Sequence, residues 1–68
     1  MSVYKVIEII GTSAQSWEDA AASAVAKARE SLRDLRVAEV VKQDLDIGED
    51  GSLTYRTKLS VSFKYEDG

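Results

Sequence analysis

The chain has 68 residues, 44% of them hydrophobic and 31% charged, with a formal net charge of −3. It contains neither cysteine nor histidine, which excludes disulfide staples, the common zinc sites and histidine acid–base chemistry. A chain this short buries only about 60% of its unfolded surface, so self-association is the remaining route to stability, and the acidic balance argues against nucleic acid as a partner.

Val3 to Ile10 predicts a strand, with Val3, Ile7 and Ile9 on one face and Tyr4, Val6 and Ile10 on the other. Both faces are apolar. A helix of the same chain can cover one of them, and the other calls for a neighbouring subunit. Gly11-Thr12-Ser13 supplies turn chemistry. Ser16 is the expected N-cap, with Asp19 in the place where a capping box carries Glu or Gln. The spacing of Trp17, Ala21, Ala24, Ala28, Leu32 and Leu35 predicts a helix from Trp17 to about Arg33. Its alanines give high propensity and a slim contact face, and Arg29 and Arg33 suit the negative end of its dipole.

A long hairpin follows. From Leu53 to Tyr65 apolar and polar residues alternate, and the preceding strand, Val37 to Ile47, places Val37, Val41, Leu45 and Ile47 on one face and Ala38, Val40, Lys42, Asp44 and Asp46 on the other. Gly48-Glu49-Asp50-Gly51 forms the turn. Matching apolar faces pairs Ile47 with Leu53, Leu45 with Tyr55 and Asp44 with Arg56. The fold class is therefore α+β, a β-α-β-β chain in which a three-stranded antiparallel sheet curls around one helix. No apolar run reaches the roughly 18 residues of a membrane span and no signal-peptide core follows Met1. The expectation is one cytoplasmic domain over residues 1–68 with no membrane partner.

Catalytic pairings are missing from this pattern: the serines have no histidine to activate them, and neither GxGxxG nor GxxxxGK[ST] occurs. The expectation is a protein that is not an enzyme. The acidic stretch Asp44 to Gly51 has a superficial likeness to an EF-hand loop, but glycine stands at its fifth position where an oxygen ligand is required, so it reads as a solvated hairpin turn. A divalent cation such as calcium or magnesium is better served by carboxylates repeated around a symmetry axis, with ligands that one chain does not identify.

The order of these segments, the strand ending Glu8-Ile9-Ile10-Gly11-Thr12-Ser13, the helix opening Ser16-Trp17-Glu18-Asp19-Ala20, and Leu32 to Val40 leading into a hairpin that closes on Phe63-Lys64-Tyr65-Glu66, resembles the dodecin family. The resemblance covers nearly the whole chain. It implies a homododecamer, a hollow cage with a binding or storage role that takes flavin, FMN or riboflavin, at subunit interfaces. In flavin-binding members a tryptophan just before the Ala-Glu-Val or Phe-Glu-Val of the second strand stacks on the isoalloxazine, and here that position is Val37. The glutamine that hydrogen-bonds flavin in a Tyr-Gln-Thr-like context is matched by Arg56 in Tyr55-Arg56-Thr57, and an acidic residue of some members is matched by Lys42. A stacked aromatic contact contributes about 0.5–1.5 kcal/mol beyond its area. Losing one from each side of a flavin pair lowers affinity about tenfold to a hundredfold. The resemblance therefore implies a flavin site that is weakened, or altered toward an anionic nucleotide by Lys42 and Arg56, with a structural or cation-binding shell as the alternative.

Overall fold

In the computed structural model, which describes residues 2–66, β1 (Val3–Ser13) leads into α1 (Trp17–Ala28), followed by β2 (Leu35–Ile47) and β3 (Leu53–Glu66). The strands form one antiparallel sheet in the order β1-β3-β2. β3 is central because the hairpin ties it to β2 while the helix carries the chain from β1 to the far edge. The α+β, β-α-β-β architecture expected from the alternation is the one observed.

Every second residue of β3 faces the helix, and Thr57, Leu59 and Val61 are completely enclosed there. Ala24 completes the core, with Ile7, Ile9, Ala21, Val25 and Leu35 packed around it. Burying Leu59 or Val61 contributes about 1.5–3 kcal/mol each. Few other side chains gain as much. Val6, Ile10, Val37, Ile47 and Tyr65 are each more than half exposed. The radius of gyration is 14.0 Å, against about 11 Å for a compact chain of this length. Much of the hairpin thus projects beyond the reach of its own helix.

The turn chemistry at Gly11-Thr12-Ser13 does not end β1. Gly11 pairs with Thr57, and Ser13 with Tyr55. Glycine is required for a different reason: a Cβ at residue 11 would collide with the Ala20 carbonyl oxygen and lie 2.9 Å from Ala24 Cβ. The strand therefore passes directly under the helix, with alanines above it.

The helix is shorter than its periodicity predicts, ending at Ala28 rather than near Arg33. Glu30 N and Ser31 N donate three residues back, to the Lys27 and Ala28 carbonyls at 3.1 Å, which tightens the last turn. Asp34 then adopts φ 58°, a left-handed conformation that aspartate tolerates better than most residues. Leu32 and Leu35 continue the helical spacing, but Leu35 reaches the core from the first position of β2.

The hairpin register agrees with expectation from the turn to Lys42: Ile47 pairs with Leu53, Leu45 with Tyr55 and Asp44 with Arg56. A β-bulge between Val40 and Lys42 then changes the parity, so that Val40 opposes Leu59 and Ala38 opposes Val61. Ala38 and Val40 consequently face the helix side, and Val37, opposite Ser62, moves to the outer face. The expected assignment of Val37 to the face of Leu45 and Ile47 is corrected by this one inserted residue. At the tip, Gly48 N donates to Ser52 O at 2.8 Å, and Gly51 holds φ 86°, which favours glycine.

Replacing Gly11 by alanine is expected to destabilise the protein by about 1–3 kcal/mol or more, because the added methyl meets helix backbone and not a flexible side chain. A urea titration followed by circular dichroism checks this, and an unchanged midpoint would mean that α1 can lift from β1 without loss.

Candidate functional site

The outer sheet face, opposite the helix, carries a small cleft lined by Ile10 of β1, Lys42 and Asp44 of β2, and Arg56 and Lys58 of β3, with a volume of about 190 Å³. Period two places these side chains together: Asp44 faces Arg56, Lys42 faces Lys58, and Ile10 pairs with Lys58 from the other side. Arg56 grips Asp44 with both prongs, Nε donating to Oδ1 at 2.7 Å and Nη2 to Oδ2 at 2.9 Å. Lys58 Nζ lies 3.2 Å from Glu8 Oε1.

The hydrogen bond from Arg56 outweighs an opposing desolvation and, with the charges of Arg56 and Lys42, holds the Asp44 carboxyl below its usual pKa. The same bond holds the Arg56 guanidinium more firmly protonated. At the hairpin tip, Asp50 is depressed through hydrogen bonds from Ser52, whose backbone N–H donates to Oδ1 at 3.0 Å.

The inner side of this hairpin is pinned by Trp17. Its Nε1 donates to the backbone carbonyl of Asp44 at 3.0 Å, and its ring meets Tyr55 edge to face at 5.1 Å between centroids. Thr57 Oγ1, fully buried, donates to the Trp17 carbonyl at 2.9 Å. Ser16 caps the helix as expected, its Oγ accepting from Asp19 N at 2.9 Å. The Asp19 carboxylate instead accepts from Ser13 Oγ at 2.7 Å, and Ser13 Oγ in turn accepts from Gln15 N at 2.8 Å. Trp17 is therefore the packing anchor that its place at the helix start suggests.

Of the positions singled out from the sequence, Lys42 and Arg56 meet in the cleft and Val37 does not. Val37 lies on the same outer face, 62% exposed, but pairs with Ser62, roughly 20 Å along β3 from Arg56 at about 3.3 Å per residue. The sequence reading missed Lys58 and Ile10 as neighbours. Lys58 was accessible to it, since the register that joins Asp44 to Arg56 also joins Lys42 to Lys58. Ile10 was not, because the strand order fixes its place and the hairpin pattern does not reveal it.

Among the described residues no group of three or more acidic side chains is arranged to hold a metal ion, and no helix is long and apolar enough to cross a membrane. Two apolar grooves flank the helix, one against Ile7 and Ile9 with Leu32 at its end, the other against Ala38 and Val40.

A family model described as Dodecin matches residues 3–66. The calcium dodecin of Mycobacterium tuberculosis is 62% identical over 64 residues, which span 94% of this chain and 90% of that protein. The dodecin of Thermus thermophilus is 42% identical over 65 residues, spanning 96% and 94% respectively. The crystal structure of the M. tuberculosis calcium dodecin, described as a calcium-chelating antigen with a novel calcium-binding site, has a TM-score of 0.90 at 58% identity and covers 98% of this chain and 96% of that one.

Two outcomes follow from the geometry. Trp17→Phe keeps the ring contact but loses the bond to the Asp44 carbonyl, and should cost about 0.5–1.5 kcal/mol in a denaturant titration. A variant as stable as the parent would show that the indole N–H contributes nothing. Because the folded-state pKa of Asp44 is depressed, its contribution is fully present above the ordinary aspartate value of about 3.9 and is lost as pH falls through the lower folded value. Asp44→Asn should therefore flatten the decline of the thermal midpoint below about pH 4. An identical acid limb in both proteins would contradict this.

Proposed function

We propose that this chain, which belongs to the dodecin family, is a non-catalytic binding protein that assembles into a homododecameric cage and takes flavin only weakly. The observation that carries the assembly is the amount of apolar surface left over once the small core is complete: Val6 is 59% exposed on the outer face of β1, and Ile47 is 70% exposed on the projecting hairpin. Such side chains spread over both faces are stabilised only when copies cover one another. In this reading the shell is cytoplasmic and engages neither nucleic acid nor membrane.

The weakness toward flavin rests on Val37 and Arg56. Valine offers a small rigid surface where a ring would have to stack, and the chain's one tryptophan is committed to Asp44 and Tyr55 on the other side of the sheet. Arg56, at the position that resemblance assigns to a flavin hydrogen bond, is engaged by Asp44.

A second reading, a shell that holds a divalent cation such as calcium or magnesium and no organic ligand, is favoured by the name calcium dodecin carried by a relative 62% identical to this chain. Among the described residues, those of one chain do not fit such an ion by themselves. Calcium takes six to eight oxygens, so the site would draw carboxylates from several copies around an axis.

Native mass spectrometry from gentle buffer is expected to show twelve chain masses, and a dominant monomer at micromolar concentration would overturn the assembly. Riboflavin and FMN should bind weakly or undetectably in a fluorescence-quenching titration, and Val37→Trp should tighten binding about tenfold or more. Submicromolar binding by the unmodified protein would show that Val37 does not limit the site. A calcium-dependent rise in thermal midpoint, reversed by a chelator, would instead support the cation reading.

A further inference from the structure

Lys42 and Lys58 are direct partners across the β2–β3 pair, and both line the outer cleft with Ile10, Asp44 and Arg56. Like charges placed directly opposite one another on a sheet face are destabilising. Lys58 is relieved on one side by Glu8 at 3.2 Å, whereas Lys42 makes no ion pair among the described residues. Three cations thus face one carboxylate in the cleft, on a chain whose overall charge is −3. That carboxylate is already neutralised by the two bonds from Arg56, which commit Nε and one terminal nitrogen and leave the other terminal nitrogen as a donor. At about 190 Å³ the cleft is smaller than the roughly 300–1,000 Å³ of sites for drug-sized ligands, so it suits a small charged group.

We propose that Lys42 and Lys58, with the free edge of Arg56, form a site for a phosphate-type oxyanion, and that half-exposed Ile10 offers an apolar wall to the carbon skeleton of a phosphate ester. An anion between the lysines turns their repulsion into two charge-assisted contacts. The site shares Lys42 and Arg56 with the flavin reading but needs no isoalloxazine, and it rests on the cross-strand register and not on Val37.

The test uses the purified full chain in whatever assembly it forms, at constant ionic strength with chloride as the reference anion. Inorganic phosphate, AMP and adenosine are titrated by calorimetry and by thermal midpoint. Phosphate and AMP should bind and adenosine should not. Tighter AMP would identify the ester as the better occupant, and equal affinities the free anion, both in support of the site. Lys42→Gln and Lys58→Gln should each weaken phosphate about tenfold or more, and Lys27→Gln on the helix should leave it unchanged. In phosphate-free buffer Lys42→Gln should raise the thermal midpoint, because it removes a repulsion. The proposal is overturned if phosphate shows no advantage over chloride, or if both lysine variants bind it as the parent does. Disassembly of Lys42→Gln would also overturn it, by assigning Lys42 to a carboxylate of a second copy. Riboflavin carries no phosphate, so its binding to Val37→Trp in a protein indifferent to phosphate would sink the oxyanion site alone and leave the flavin reading standing.

Discussion

The close approach of α1 to the sheet governs the rest of the molecule. Gly11 has no Cβ where the Ala20 carbonyl descends, and Ala20 and Ala24 are the helix residues in contact. Small residues on both sides let the helix lie low over β1 and β3, with alanine supplying helix propensity at little cost in side-chain entropy. The same economy limits what the helix can cover. A slim helix bridges two strands of the three and leaves a groove along each flank, so apolar side chains of β2 and of the hairpin arm stay largely exposed. Intimate packing at one point and incomplete burial elsewhere have one origin.

Much of this was legible in the residues. The alternation from Leu53 to Tyr65 located β3, the hairpin register followed from matching apolar faces across Gly48–Gly51, and Ser16 announced the helix start. Three features escaped for definable reasons. The bulge at Val41 has no glycine to mark it, and a period-two reading cannot detect one extra residue in a run where Val37, Ala38, Val40 and Val41 are all apolar. Gly11 looked like turn chemistry because local sequence does not distinguish a glycine needed for φ from one needed for proximity. The helix end was hidden because Leu32 and Leu35 keep the helical spacing while belonging to a tightened turn and to a strand. For the candidate site, the register sufficed for Lys42, Asp44, Arg56 and Lys58, but Ile10 needed the strand order, which a helical crossover leaves open.

The charge arrangement on the outer face is ordered and not a uniform solvated surface. Arg56 and Asp44 satisfy each other across β2 and β3, and Glu8 and Lys58 meet across β1 and β3, so ion pairs lace all three strands at one level. Exposed pairs of this kind contribute little to stability. Their effect is on geometry, since each holds a long side chain in one orientation and defines which charges remain available. Val37, beyond the bulge, stands apart from this belt, so the outer face has a polar and an apolar zone separated along β3.

Asp44 has two connections on opposite sides of the sheet: its carbonyl receives the Trp17 indole from the helix side, and its carboxylate receives Arg56 on the outer face. An occupant that draws Arg56 away therefore acts on the same residue against which the indole rests. Trp17 is the chain's one tryptophan, and indole emission responds to hydrogen bonding and to a neighbouring ring such as Tyr55. Trp17 also touches Tyr55 and Thr57, the chain neighbours of Arg56, so its emission is the natural optical readout, in unlabelled samples, for engagement of the outer face.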